Sequence, residues 1–302
     1  MLTERHSAAA PAEGAAQCDN RGLLPQEEFA TNADGEESLR RPLAYREEAF
    51  LQSAESRPLR ILSEYLWPLT HFQDEKIQDT IVFFGSARIQ ENGPLGRYYQ
   101  EARELAGLLT AWSASIAPPD GSSEPRRRFV VCSGGGPGIM EAANRGASEA
   151  GGKTIGLNIG LPFEQRPNPY ITPELCFEFH YFFMRKFWFA YLAKALVVFP
   201  GGFGTLDELS EILTLAQTQK LENKILIVLY GSSYWREILN FDALVKYGMI
   251  AEADLNLFRF ADTPQDALAI LKDGLTRYYL EPESALQRPS EEAPEIARSR
   301  TS

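Results

Sequence analysis

Cysteine and histidine are scarce in this chain. Its 302 residues contain three of each, and none stands in CxxC, HxxH or HExxH spacing. Such spacings supply the ligands of many zinc sites, and paired cysteines supply disulfides. We therefore expect no metal site and no disulfide, and a reducing, cytoplasmic compartment.

Long apolar runs are also missing. No stretch of the sequence approaches the roughly 18 to 20 apolar residues that a membrane-spanning helix requires. The first residues lack the apolar core of a signal peptide. The sequence thus predicts a protein without membrane contact.

Positive charge is in short supply. Lysine and arginine number 30 against 41 acidic residues, a formal net charge of −11, and a field of this sign repels nucleic-acid backbones. The basic cluster 126–128 follows a loop rich in proline, serine and glycine, so we interpret it as a solvated loop that leads into a strand. No nucleic-acid partner is expected. A free mononucleotide is compatible, because backbone amides and one or two cations can hold one phosphate.

From Thr80 onward, the sequence alternates short apolar runs with longer amphipathic stretches. Strands that are apolar throughout and separated by helices indicate a parallel sheet covered on both faces. The predicted fold class is α/β, doubly wound and Rossmann-like, with a mainly parallel sheet. The predicted strands are residues 81–84, 129–132, 154–158, 176–179, 196–199 and 224–229, with a last one near 257. The predicted helices are residues 98–109, 138–150, 182–193, 206–219 and 234–245, with a last one that ends near 279.

Composition also divides the chain. Residues 1–43 and 281–302 are rich in small and polar residues, so both are predicted to be disordered tails. Residues 44–77 form a predicted helical extension, because leucines recur there at helical spacing, and Pro68 is expected to end or kink that helix. Residues 78–280 form the predicted nucleotide-binding domain.

Three turns rich in glycine or small residues follow predicted strands. They are residues 85–87, 133–138 and 200–205. In doubly wound folds the carboxyl ends of the strands lie at one edge of the sheet, and ligands bind there. We therefore expect the three turns to converge on a single pocket.

The third turn has the features of an anion site. The backbone at Gly201, Gly202 and Gly204 is free to present N–H groups, and the helix that starts here adds the positive end of its dipole. Thr205 can add a hydroxyl. An alternative interpretation is a helix capping box, which Thr205 and Glu208 also fit. The clustering of glycines favours the phosphate site, because a capping box needs none of them.

Two other glycine segments do not complete a nucleotide motif. The run 134–138 departs from GxGxxG because Ile139 follows it, and the next strand ends without an acidic residue for a ribose. Residues 151–154 resemble the end of a P-loop, but Ala147 stands where a glycine is required, and we interpret the segment as the end of a helix. No dinucleotide or ATP cofactor is expected.

Residues 180–189 form a dense aromatic segment that carries Arg185 and Lys186. We interpret most of its aromatic side chains as core, and an arginine in such a setting is more often stacked or salt-bridged than catalytic. The two cations lie about 100° apart around a helix, so they need not share a role.

Several segments together resemble a known family. GGGPGIMEAANRGA at 134–147, FMRKFWFA at 183–190 and PGGFGTLDELSE at 200–211 are similar to motifs of the Lonely Guy (LOG) family, and the resemblance covers about residues 78–280. That family was long labelled "possible lysine decarboxylase". Its characterised members are cytokinin riboside 5′-monophosphate phosphoribohydrolases, and related bacterial proteins cleave AMP or other nucleotides.

The resemblance implies a hydrolase that cleaves the N-glycosidic bond of AMP or of a cytokinin riboside 5′-monophosphate, and releases the free base and ribose 5-phosphate without a metal or organic cofactor. It assigns catalysis to Arg185 and Glu208. It also implies a homodimer or a higher homo-oligomer. The implied contacts with the nucleotide and its phosphate come from Gly201, Gly202, Gly204, Thr205, Lys186, Thr214, Met184, Gly134, Gly135, Gly136, Gly85 and Ser86.

Some alternatives stay open. The extension before residue 78 and the insertion around 117–128 depart from the compact members of the family, which leaves substrate and assembly undetermined. A sensor or carrier that binds a mononucleotide or another phosphate compound without cleaving it is the second interpretation, although a pure binder needs no carboxylate beside its anion site. The decarboxylase label has no chemical support, because no lysine stands in a setting that singles it out for a Schiff base.

Overall fold

The computed structural model describes residues 42–116, 126–160, 166–220 and 224–281. The predicted disordered tails lie outside the described residues, except for Pro42, Leu43 and Glu281. Most of the insertion around 117–128 also lies outside them. None of the helices in the described ranges is both long enough and apolar enough to span a membrane.

A seven-stranded sheet forms the centre of the described structure, with the strand order β4-β3-β2-β1-β5-β6-β7. All neighbouring strands are parallel. The predicted α/β class with a parallel sheet is therefore confirmed. The strands are β1 (Thr80–Phe84), β2 (Val130–Ser133), β3 (Thr154–Ile159), β4 (Cys176–Phe179), β5 (Ala193–Val198), β6 (Leu226–Tyr230) and β7 (Phe258–Ala261).

Helices connect and cover these strands. Their bounds are α1 (Glu48–Leu51), α2 (Arg57–Asp74), α3 (Gly96–Ala114), α4 (Ile139–Glu149), α5 (Phe182–Tyr191), α6 (Phe203–Gln217), α7 (Ser232–Ile238), α8 (Phe241–Lys246) and α9 (Pro264–Leu275). The single helix predicted at 234–245 is wrong, because α7 ends at Ile238 and α8 starts afresh. The Asn240 side chain caps the new helix by accepting a hydrogen bond from the Ala243 N–H at 2.9 Å.

The core lies on both faces of the sheet, and alternate residues of β1 show why its sequence is apolar throughout. Val82 and Phe84 point to the face covered by α2, α5 and α6. Ile81 and Phe83 point to the opposite face, against α3, α4 and α9. Successive strand residues face opposite sides, so a strand buried on both must be apolar at every position.

Helix α2 continues past Pro68, where the sequence predicted a stop or a kink, and ends at Asp74. Proline has no N–H to give to the carbonyl four residues earlier, and here that carbonyl belongs to Glu64. It accepts instead from the Trp188 indole N–H at 2.9 Å. The Glu64 carboxylate also accepts from the His180 N–H at 2.7 Å. These bonds fasten α2 to α5 and to the turn before it.

The sequence predicted that the basic cluster before β2 is solvated, but the structure shows that it is only partly so. Arg128 is buried, and its Nε donates to the buried carboxylate of Asp79 at 2.7 Å. Residues 126 and 127 are exposed. The ion pair with Asp79 offsets part of the free-energy cost of burying the Arg128 charge.

The strand order indicates where a ligand is expected to bind. From β1 the chain proceeds through β2 and β3 to β4 at one edge, and from β5 it proceeds through β6 to β7 at the other. Strands β1 and β5 are neighbours, so the loops that follow them lead away in opposite directions. A crevice at the carboxyl ends of two such strands is the usual ligand site of doubly wound folds.

Candidate functional site

A cavity of about 1060 Å³ opens at the carboxyl ends of β1 and β5. The three glycine turns meet there, as the parallel sheet led us to expect. The first contributes Gly85, Ser86 and Ala87, the second contributes Gly134, and the third contributes every residue from Pro200 to Thr205.

Backbone hydrogen bonds hold the three turns together. The Ser86 N–H donates to the Pro200 carbonyl at 3.0 Å, and the Ser86 carbonyl accepts from the Ile139 N–H at 3.2 Å. Gly138, which precedes Ile139, has a φ of +71°. A side chain there would meet the Ser86 carbonyl. Glycine is therefore required at 138 for the turns to approach each other.

The third turn opens α6 without a side-chain cap. Gly202 is the N-cap residue, and within the described ranges the first turn has no side-chain cap hydrogen bond. Gly202 and Gly204 face open space, since a Cβ at either position would have no atom within 4 Å. The capping-box interpretation is wrong, because Thr205 lies inside the helix and Glu208 bonds elsewhere. The amides that a cap would satisfy are left for a ligand.

Tyr234 on α7 supports this turn from outside the motif. Its hydroxyl donates to the Gly201 carbonyl at 2.6 Å, and its side chain also lines the cavity. Its role could not be predicted from the sequence, because it lies 33 positions downstream of its partner. No local pattern signals such a long-range bond.

Arg185 and Glu208 form an ion pair at the cavity wall. The Arg185 Nη2 lies 2.9 Å from the Glu208 Oε1, and only 6% of the Glu208 residue is exposed. The Arg185 guanidinium also lies 5.4 Å from the ring centres of Phe182 and Phe189. Its Nε is buried without a hydrogen-bond partner among the described residues. The arginine is thus stacked and salt-bridged. It also lines the cavity, and its buried Nε is an unsatisfied donor.

The protonation of Glu208 reflects opposing influences. Burial raises the pKa of this carboxyl above its ordinary value, while the nearby charges of Arg185 and Lys186 lower it. The net direction is upward. A carboxylate poised in this way can accept a proton more readily than an exposed glutamate.

Three side chains that the resemblance placed at the ligand lie away from this cavity. The Lys186 Nζ pairs with Asp207 at 2.8 Å and with Glu211 at 2.9 Å, because it projects from a different side of α5 than Arg185 does. Thr214 is exposed and donates to the Ser210 carbonyl. The buried side chain of Met184 lines a groove between α2 and α5. Their contacts with a nucleotide stay predictions.

The second turn divides into one residue at the cavity and two behind it. Gly134 lines the cavity. The carbonyls of Gly135 and Gly136 accept from the buried Asn168 side chain at 3.0 and 3.1 Å. Asn168 also donates to the Asn144 side chain at 2.9 Å. A buried and fully bonded polar network of this kind specifies one loop conformation.

Comparisons with known proteins agree with the resemblance found in the sequence. A family model described as "possible lysine decarboxylase" matches residues 140–271. The probable cytokinin riboside 5′-monophosphate phosphoribohydrolase LOGL3 of Oryza sativa subsp. japonica is 27% identical over 212 residues, which are 67% of this chain and 86% of that protein. The probable enzyme of the same description named LOG4, from the same plant, is 30% identical over 151 residues, which are 49% of this chain and 64% of that protein.

Among solved structures, the Moco carrier protein of Chlamydomonas reinhardtii superposes with a TM-score of 0.41 and 22% identity, and the match covers 66% of this chain and 99% of that one. The residues that the family model matches include the glycine turn 200–205 and the Arg185–Glu208 pair. The predicted resemblance to the Lonely Guy (LOG) family is therefore confirmed.

Proposed function

We propose that this protein hydrolyses the N-glycosidic bond of a nucleoside 5′-monophosphate, AMP or a cytokinin riboside 5′-monophosphate, and releases the free base and ribose 5-phosphate. The observation that supports this proposal most directly is the partly buried Arg185–Glu208 pair, 2.9 Å apart, in the wall of the cavity that the glycine turn of α6 also lines. A carboxylate and an anion-binding turn in one cavity fit a substrate that carries both a phosphate and a bond to be cleaved.

The phosphate end of the site is the turn 201–205. Its free amides and the positive end of the α6 dipole favour an anion, and the bare backbone at Gly202 and Gly204 leaves room for close approach. Phosphate anchoring supplies binding energy away from the reacting bond. We therefore expect nucleosides without a 5′-phosphate to react slowly.

The reacting end of the site is Glu208. Cleavage of an N-glycosidic bond develops positive charge on the ribose, and a carboxylate nearby stabilises that charge and can orient or deprotonate the attacking water. Arg185 holds the carboxylate and can donate a hydrogen bond to the departing base. An arginine does not give up its proton at ordinary pH, so the proton that the base needs comes from water or from another acid.

The test is the release of free base from purified protein incubated with common nucleoside monophosphates and with isopentenyladenosine monophosphate. We expect base and ribose 5-phosphate in equal amounts. In Glu208→Gln, which keeps a hydrogen-bonding partner for Arg185, we expect a loss of about 10²- to 10⁴-fold in kcat with nucleotide binding retained. Glu237→Gln, at an exposed position on α7, is the matched control and should not change the rate.

The outcomes also distinguish the two interpretations of the function, a hydrolase and a binding protein. Absence of base release from every nucleotide would defeat the proposed activity. Tight AMP binding in calorimetry, with the nucleotide recovered unchanged, would instead favour a sensor or carrier.

A further inference from the structure

The charges that line the cavity do not balance. Among its described lining residues, the charged ones are Arg88, Arg185 and Glu208. Arg185 and Glu208 form an ion pair and neutralise each other. Arg88 is exposed, and it forms no ion pair within the ranges that the structure describes. The cavity therefore carries one uncompensated positive charge in a protein whose formal net charge is −11.

The backbone fixes Arg88 beside the glycine turn of α6. The Arg88 N–H donates to the Ser86 hydroxyl at 3.1 Å, and the Ser86 N–H donates to the Pro200 carbonyl at 3.0 Å. Two residues span at most about 7 Å, so the Arg88 backbone lies close to the residue that precedes Gly201. The long side chain starts within reach of the anion site.

The other cation that the family resemblance suggested, Lys186, already forms ion pairs. Lys186 lies outside the cavity and bonds to Asp207 and Glu211, so it has two carboxylates of its own. An anion in the turn would otherwise be held by the backbone amides and the Thr205 hydroxyl, without a cation of its own. Arg88 is the cation whose position and free charge both match that anion.

We propose that Arg88 binds the phosphate group that the turn 201–205 holds. The guanidinium can donate two parallel hydrogen bonds to phosphate oxygens, a geometry that lysine cannot reproduce. This inference rests on the proposed function for the identity of the sugar and base, while the phosphate contact itself does not require that the ligand be cleaved.

The experiment measures binding of ribose 5-phosphate by calorimetry to the full chain and to Arg88→Gln, Arg88→Lys and Arg236→Gln. Arg236 is an exposed arginine on α7 that contacts the Phe260 ring and does not line the cavity, so it serves as the matched control. We expect affinity at least about tenfold weaker in Arg88→Gln, an intermediate value in Arg88→Lys, and no change in Arg236→Gln.

A second measurement separates phosphate binding from a general loss of structure. With AMP, Arg88→Gln should raise KM and leave kcat nearly unchanged, whereas the slow reaction of adenosine should be unaffected. A damaged fold would change both substrates alike. Equal affinity for ribose 5-phosphate in Arg88→Gln and the unaltered protein, or no binding by the unaltered protein, would overturn the inference. Loss of base release with Arg88-dependent binding retained would contradict the proposed activity alone.

Discussion

The Arg185 Nη2 and the Glu208 Oε1 lie 2.9 Å apart, although 23 residues and the whole of β5 separate them in the chain. The pair joins the helix before β5 to the helix after it, on the side where both border the cavity. Burial raises the pKa of the Glu208 carboxyl, and the charges of Arg185 and Lys186 oppose that rise. The ionisation of this carboxyl therefore responds to residues outside the cavity as well as within it.

The first prediction concerns pH. If Glu208 acts as a carboxylate, kcat/KM for AMP should fall as the pH drops through its raised pKa. Lys186→Gln removes a positive charge that lowers this pKa, so the acid limb should move to higher pH. The change also leaves Glu211 without its cation, and the Glu211 charge raises the Glu208 pKa further in the same direction.

The measurement for this prediction is a pH–rate profile of the unaltered protein and of Lys186→Gln. Lys272→Gln, on α9 at the far side of the sheet, is the control and should leave the profile in place. An acid limb that stays fixed or moves to lower pH in Lys186→Gln would show that Glu208 does not set it.

The second prediction contrasts two glycines. Gly202→Ala places a methyl group in open space, at a position whose φ of −91° any residue adopts. We therefore expect the melting temperature of this variant to equal that of the unaltered protein. The methyl group would obstruct phosphate, and the loss of hydrogen bonds to a charged group should raise the KM for AMP by about ten- to a hundredfold.

Gly138→Ala should behave in the opposite way. Its φ of +71° and the nearby Ser86 carbonyl make a side chain unfavourable there, and a left-handed residue costs roughly 1–2 kcal/mol. We expect a lower melting temperature in Gly138→Ala. If Gly202→Ala unfolds as readily as Gly138→Ala, or binds phosphate normally, then Gly202 does not border the phosphate.

These two glycines also show how much the sequence could predict. The position of the turns followed from glycine clusters after apolar strands, and their convergence followed from the parallel sheet, because both signals are local or topological. The Tyr234–Gly201 bond and the path of α2 through Pro68 depend on partners 33 residues or more away. The position of Arg88 in the cavity could not be predicted, because its local sequence gives no sign that its charge would lack a partner.

The third prediction concerns the Gly201 carbonyl. The Tyr234 hydroxyl donates to it at 2.6 Å. Glycine on both sides of the planar 201–202 peptide group allows that plane to flip, through ψ of Gly201 and φ of Gly202. Tyr234→Phe removes the restraint, so that the carbonyl oxygen can turn toward the anion. We expect the KM for AMP to rise about 3- to 10-fold, the net effect of one hydrogen bond, with kcat little changed.

Steady-state kinetics with AMP, together with calorimetry with ribose 5-phosphate, tests this prediction. Tyr247→Phe, at an exposed ring on the surface, is the control. A fall in kcat at constant KM would mean that Tyr234 acts on the reacting bond instead of on the turn.

The fourth prediction concerns assembly. Apolar side chains that are about one-third to one-half exposed form a face on α2 and α5; we define this α2–α5 face by Leu62 (50% exposed), Leu66 (47%), Phe183 (49%), Phe187 (36%) and Tyr191 (42%). Exposed apolar patches mark interaction sites. The family resemblance implies a homodimer or a higher homo-oligomer, and a symmetric dimer needs a face that can pack against itself. We expect this face to meet its copy in a second chain.

Light scattering coupled to gel filtration measures the mass in solution. The unaltered chain should give at least twice its 33.8 kDa mass, and Phe187→Asp should shift it to a single chain, because a charge at the centre of an apolar interface would lose its water without gaining a partner. Tyr247→Asp introduces the same charge at an exposed ring outside the face and should leave the assembly intact. A monomeric unaltered chain, or an oligomer that survives Phe187→Asp, would show that this face does not hold two copies together.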